Sequence, residues 1–161
     1  DCPEKTPDFY FIMSQAYHNM NKIATADRGQ VNFKTTEEMY NVIVGMTKKL
    51  MADIPFKDVI ATGTCLQNLR TSDLNNGMCL TRDGYHMDYG ISRYAAACMV
   101  FEKLISPSFD NVKLDKNTYR YGNSSTTSGS YSTPVTDANA PVALQAARYA
   151  LQTPYQVTSM K

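Results

Sequence analysis

Apolar positions along the chain gather into two short, nearly unbroken runs and several longer periodic ones. The first run, "DFYFIMS" from Asp8 to Ser14, follows "CPEKTP", whose two prolines discourage a helix. Its continuous apolarity predicts a strand buried on both faces, as in a parallel sheet. A polar, irregular stretch runs from Tyr17 to Lys34. In "TTEEMYNVIVGMTKKLMADI", Thr35 and Glu38 have the spacing of a capping box. Met39, Val42, Ile43, Met46 and Leu50 recur at helical steps and predict its buried face. After Pro55, "KDVIAT" (Lys57 to Thr62) predicts a second buried strand, Gly63 and Thr64 a turn, and "CLQNLRTS" a short helix. Asp88 then stands as N-cap to a long helix with Ile91, Tyr94, Ala95, Cys98, Met99 and Leu104 on one side, stopped by Pro107. A last helix runs from about Pro141 to Gln152, with its proline in the first turn.

The order strand–helix–strand–helix predicts an α/β fold with parallel pairing. Two strands cannot make a sheet covered on both faces, so the chain reads as one part of a larger fold that a partner completes. Residues 110–138 carry Gly, Ser, Thr and Tyr without a sustained period, and "GNSSTTSGS" is locally simple. A loop of that length is expected to be either a functional surface feature or a mobile one.

Length and charge narrow the function classes. The 161 residues suffice for one domain, and 43% apolar with 19% charged composition suits a globular chain. Sixteen basic and fifteen acidic residues give a net charge of +1, which offers neither a basic stripe for nucleic acid nor a lysine cluster for an anionic membrane. No apolar run approaches the roughly 18 residues of a membrane span. The chain opens at Asp1 without an initiator Met and reads as a mature or trimmed piece, so the lack of a leader says little about export. Cys2, Cys65, Cys79 and Cys98 form no C-x-x-C pair. They read as small buried hydrophobes rather than reactive thiols, with a Cys65–Cys79 bridge left to geometry.

The chemistry concentrates in "CLTRDGYHMDYG". Histidine is the side chain best suited to proton transfer near neutrality. As a base it needs its second ring nitrogen held, commonly by a carboxylate. Asp83, three residues ahead of His86, can reach back if the turn is tight, and Gly84 permits that. The turn opens a helix, where ligands of open α/β sheets bind, and the helix N-terminus would resist protonation of His86. Two plainer readings stand beside this one. Asp83 can be a turn acceptor beside a surface histidine, and Asp83, His86 and Asp88 can be weighed as metal ligands, although no second cluster supports them.

The words "MSQAY", "EEMYNVI", "ATGTCLQNLRTS" and above all "LTRDGYHMDYGISRYAAACMVFE" resemble the C-terminal half of an SGNH-type (GDSL-like) hydrolase. They are closest to a gut-bacterial subgroup formerly of unknown function and linked to carbohydrate esterases. "ANAPVALQAARYALQTPYQVT" is similar to the closing helix and tail of that subgroup. The resemblance implies a three-layer α/β/α, flavodoxin-like parallel sheet, with residues 1–161 as the C-terminal part of one domain. It implies a serine esterase, plausibly a carbohydrate acetylesterase, in which His86 is the general base and Asp83 orients it. No cofactor or metal is implied, and the location implied is periplasmic or secreted.

The nucleophilic Ser of such enzymes lies in a G-D-S turn after the first strand of the fold, a block this sequence lacks. "GNSS" at Gly122 to Ser125 sits in a polar loop near the wrong end, and Asn68 follows the penultimate strand and does not match the oxyanion Asn. The implied partners are therefore an N-terminal half of the same fold carrying the Ser and an acylated carbohydrate, with neither nucleic acid nor membrane. Gln15, Tyr17 and His18, just after the first strand, are candidate substrate contacts. The rival expectation is a non-catalytic carbohydrate-binding or interaction module that keeps the fold without the chemistry.

Overall fold

The computed structural model describes residues 6–18, 33–75, 77–108, 112–125 and 131–161. Cys2, Pro3 and most of the stretch between Tyr17 and Lys34 lie outside them. Strand β1 (Tyr10–Ile12) pairs in parallel with β2 (Asp58–Ile60), in the register Tyr10↔Asp58, Phe11↔Val59 and Ile12↔Ile60. Both are shorter than the apolar runs that announce them. The expected burial on both faces holds for Val59 and Ile60, whereas Phe9 and Ile12 are exposed. The described residues form a mixed α/β structure with this small parallel sheet and four α-helices.

Helix α1 (Thr36–Asp53) starts where the capping box places it. The Glu38 amide donates to Thr35 Oγ1 at 3.0 Å, while the Glu38 carboxylate accepts from the Lys34 amide at 2.7 Å, one residue before the cap. The buried face differs from the one expected. Tyr40, Val44 and Thr47 are buried, Met39 and Ile43 pack at the margin, and Val42 and Met46 are exposed. The rotation has a polar anchor: the Tyr40 hydroxyl lies 2.9 Å from Thr64 Oγ1, in the interior.

Helix α2 (Thr62–Arg70) leaves β2 without the expected turn, so Thr62 and Gly63 are its first residues. The Met13 carbonyl makes this possible by accepting from both Thr62 Oγ1 (2.7 Å) and the Gly63 amide (3.0 Å). Helix α3 (Ile91–Val100) passes into a π-helical turn at Phe101–Ile105 and a 3-10 turn at Ser106–Ser108. Asp88 caps it from just upstream, its Oδ1 accepting from the Gly90 (3.0 Å) and Ser92 (3.1 Å) amides. Helix α4 (Ala140–Gln152) has Pro141 in its first turn, as expected.

The core lies where α2, α3 and α4 meet, and its closeness comes from small side chains. Ala143, Ala146, Ala147 and Ala150 of α4 are fully buried, which lets neighbouring backbones approach. Asn68 on α2, also fully buried, donates to the Ala146 carbonyl (3.2 Å) and accepts from the Thr158 amide (2.7 Å), fastening the tail. No described helix is long and apolar enough to cross a membrane.

Among its described residues, the connection between α3 and α4 has a 3-10 turn at Leu114–Lys116 and an isolated bridge between Ser125 and Ser132. It is fastened at both ends. Arg148 on α4 donates to both Asp115 carboxylate oxygens (2.9 and 2.6 Å) and to Glu102 (3.0 Å), the planar two-point match that guanidinium favours. The Val135 amide donates to the Tyr121 carbonyl (2.7 Å) and the Ile91 amide to the Thr133 carbonyl (3.0 Å).

That last contact depends on Gly90, where an added Cβ would stand 1.7 Å from the Thr133 oxygen. Gly90→Ala is expected to cost about 2 kcal/mol or more of stability, through backbone displacement. Gly45→Ala, in the middle of α1 with nothing within 4 Å of the new Cβ, should instead stabilise by about 0.5–1 kcal/mol. Paired denaturant titrations check both signs.

Candidate active site

The segment between α2 and α3 is a closed polar loop. Two consecutive non-glycine residues with positive φ, Cys79 (48°) and Leu80 (59°), reverse the chain at its entrance. An antiparallel bridge joins Thr81 to Met87, and the Arg82 amide donates to the His86 carbonyl at 3.0 Å. Inside it, Gly84 adopts φ 94°, a left-handed conformation that a side chain would strain. The Gly84 amide donates to Thr81 Oγ1 at 3.0 Å.

This turn aims Asp83 at His86. Asp83 Oδ1 accepts from the Tyr85 (3.0 Å) and His86 (2.8 Å) amides, and Oδ2 lies 2.6 Å from His86 Nδ1. Partial burial alone would raise the Asp83 pKa. The His86 amide and ring and the Tyr85 amide outweigh it and bring the carboxyl down to about 2. A carboxylate held ionised against Nδ1 favours the tautomer with its proton there, which leaves the lone pair on Nε2. The His86 side chain is 63% exposed and that of Asp83 is 22% exposed, so the pair sits with its carboxylate sheltered and its imidazole presented outward. Among the described residues, no hydroxyl or thiol bonds to His86.

The three residues after β1 come to the same place. Gln15 Nε2 donates to the Tyr85 carbonyl (3.0 Å), the His18 amide donates to the Gly84 carbonyl (2.8 Å), and the Tyr17 ring meets the Tyr85 ring edge-on at 5.2 Å. Their visible work is to brace the loop. The Gln15 side chain and the His18 backbone are spent on its carbonyls, and Tyr17 reaches His86 only through Tyr85, whose ring stands 6.4 Å from the imidazole. Asp88 does not join them, since it is buried as the cap of α3 and burial pushes its pKa up. No group of three or more His, Cys, Asp or Glu side chains able to hold a metal occurs among the described residues.

Sequence reasoning missed Arg70 and Arg82. Arg70, at the end of α2, is buried and donates through Nε to the Cys79 carbonyl (2.9 Å), through Nη1 to Gln67 (2.5 Å) and through Nη2 to the Ala16 carbonyl (2.9 Å). Desolvation lowers its pKa to about 10, which leaves it charged at neutrality. The only signal was an arginine inside an otherwise uncharged short helix. Arg82 places Nε 3.6 Å from Asp83 Oδ2 and bonds the Tyr89 hydroxyl through Nη1. Cys65 and Cys98 are buried, as expected, whereas Cys79 is half-buried. Cys65, Cys79 and Cys98 are free, so no Cys65–Cys79 bridge forms. Burial pushes the Cys65 thiol far up and the Cys98 thiol to about 11.

The proteins described as Domain of unknown function (DUF4886) match residues 4–136. The chain belongs to the DUF4886 family. A crystal structure of a DUF4886 family protein from Bacteroides uniformis ATCC 8492, at 1.50 Å resolution, superposes with a TM-score of 0.70 at 29% identity. The match covers 98% of this chain and 52% of that one, so the chain spans about half the length of its DUF4886 relative. No curated protein matches it.

Two measurements check the loop. Arg70→Met leaves the Ala16 and Cys79 carbonyls buried without a donor and is expected to cost about 3 kcal/mol in denaturant titration. For Asp83 the folded pKa lies below the ordinary 3.8. Its stabilisation is therefore present above that value and lost as pH falls through about 2. Wild type should exceed Asp83→Asn in stability above about pH 4, with the gap closing towards pH 2.

Proposed function

We propose that this DUF4886 chain supplies the acid–base half of an SGNH-type serine esterase acting on acylated carbohydrate. The observation that carries the reading is the 2.6 Å contact of Asp83 Oδ2 with His86 Nδ1, made by a carboxylate that stays ionised, beside an imidazole whose outer edge is open. The nucleophilic Ser comes from an N-terminal half of the same fold, outside this chain. The exposed apolar side chains of β1 and α1, Ile12, Val42 and Met46 among them, support this. They are the surface that further strands of a three-layer, flavodoxin-like sheet would cover, and the relative's greater length leaves room for such strands.

In this mechanism His86 Nε2 takes the Ser proton as the hydroxyl attacks the ester carbonyl. Asp83 stabilises the imidazolium that forms. Backbone amides hold the tetrahedral oxyanion until the alcohol leaves with the proton from His86. Water, activated by the same nitrogen, then releases the acid and frees the Ser. Gln15, Tyr17 and His18, which brace the loop that carries His86, are the proposed substrate contacts, with an acetylated sugar as the favoured substrate. The resemblance carries the further expectation of a periplasmic or secreted enzyme.

The second reading, a carbohydrate-binding or interaction module that keeps the fold without the chemistry, draws on the absence of a hydroxyl bonded to His86 among the described residues. Aryl acetate hydrolysis by the full-length protein separates the two. The esterase reading expects His86→Ala to lower kcat/KM by about 10³-fold and Asp83→Asn by at least about 10²-fold. Activity undiminished in His86→Ala would show that His86 is not the base, whereas no hydrolysis by the wild type would leave the module reading in its place.

A further inference from the structure

A cavity of about 460 Å³ opens between α3 and the connection to α4, within the range of small-molecule sites, on the order of 300–1,000 Å³. Ala97 of α3 and Phe101, the first residue of the π-helical turn, line one wall, and Leu114, Tyr119, Tyr121 and Val135 line the rest. This second part of the lining is built rather than draped. Arg148 clamps Asp115 beside Leu114, and the Val135 amide donates to the Tyr121 carbonyl. Asn117 Nδ2 ties the segment to the Tyr94 hydroxyl at 3.0 Å.

The polar atoms of the cavity discriminate between ligand classes. Several already accept a hydrogen bond from the protein. Tyr94 accepts from Asn117, Asn117 Oδ1 accepts from the Tyr119 amide (3.1 Å), Tyr121 accepts from Asn123 (3.1 Å) and Tyr89 accepts from Arg82. A sugar, with an O–H to donate on nearly every carbon, would find few free acceptors here. Arg93 is different. Its guanidinium stacks 4.5 Å from the Tyr89 ring centroid, and it has no ion pair among the described residues. A stacked arginine with free N–H groups beside an aromatic, mostly apolar hollow suits a planar apolar body with one anionic end.

We propose that this cavity is a binding site for a small aromatic monocarboxylate, its ring among Tyr94, Phe101, Tyr119 and Tyr121 and its carboxylate on Arg93. The proposal concerns a site distinct from the Asp83–His86 pair and holds whether or not that pair cleaves esters.

Isothermal titration of the full chain with 4-hydroxycinnamate tests it, with 4-hydroxycinnamamide and cellobiose as contrasts. Saturable one-to-one binding is expected, at least about tenfold weaker for the amide and for Arg93→Gln, which each remove one side of a charge-assisted contact. Ala97→Phe, which fills the hollow from an exposed position on α3, should abolish binding at an unchanged melting temperature. If that variant does not fold, Tyr119→Ala removes an exposed wall ring instead and should weaken binding several-fold. Absence of binding to the wild type overturns the site. Binding that survives the filled or stripped wall does the same, and equal affinity for acid and amide, or preference for cellobiose, overturns the ligand class.

Discussion

A single buried guanidinium holds the two halves of the candidate site together. Arg70 reaches backwards to the Ala16 carbonyl, just after β1, and forwards to the Cys79 carbonyl, where the chain enters the polar loop. No carboxylate among the described residues neutralises it. Its partners are two backbone carbonyls and the Gln67 amide oxygen, and burial weakens its hold on its proton without removing it. A buried charge tolerates such surroundings only when its donors are met. The two carbonyls are therefore fixed relative to each other, and with them the residues that brace Gly84 and Tyr85 and the residues that lead into Asp83. Positive φ at Cys79 and Leu80 is understandable in this light. The strained reversal points the Cys79 carbonyl at Arg70 and leaves the Leu80 carbonyl to accept from Ser92 Oγ (2.6 Å) and the Asp88 amide (3.1 Å).

On that frame the Asp83–His86 pair is ordered without being enclosed. Four hydrogen-bond donors from the loop and its neighbours would be needed to satisfy a buried carboxylate fully. Asp83 gets two amides and a ring nitrogen from within three residues, so its order is local. The cleft that would make the imidazole's free edge effective is not local. Electrostatic help to a tetrahedral oxyanion depends on excluding water, and a side chain 63% exposed has that exclusion only when further polypeptide stands over it. Val42 and Met46 are exposed on a helix whose other face buries Tyr40, Val44 and Thr47, and Ile12 of β1 is exposed as well.

Local signals were legible in the sequence and shared surfaces were not. The capping box at Thr35, the proline of α4 and the reach of Asp83 across Gly84 each involve residues within a few positions, and each is found. The burial of α1 was misread by about one position, because periodicity marks every apolar residue that some surface covers and cannot say which surface. Val42 and Met46 fit the period yet are exposed, while Thr47 is buried. The start of α2 was misplaced for a long-range reason, as the Met13 carbonyl, forty-nine residues away, replaces the expected turn. Arg70 was invisible as an organiser because its partners are backbone carbonyls, which leave no trace in residue type.

Tyr89 connects the two regions of interest. One side of its ring carries the Arg82 guanidinium at 4.7 Å, and Arg93 lies 4.5 Å from the same centroid. Arg82 also stands beside Asp83. Two like charges on one ring are mutually unfavourable, and each gains from an anion of its own. Arg82 has Asp83, whereas Arg93 has none among the described residues. An anion arriving at Arg93 would relieve that repulsion through the shared ring and leave Arg82 closer to a neutral environment, tightening its hold on Asp83. The coupling would run by charge through these two ring contacts, without any movement of the fold.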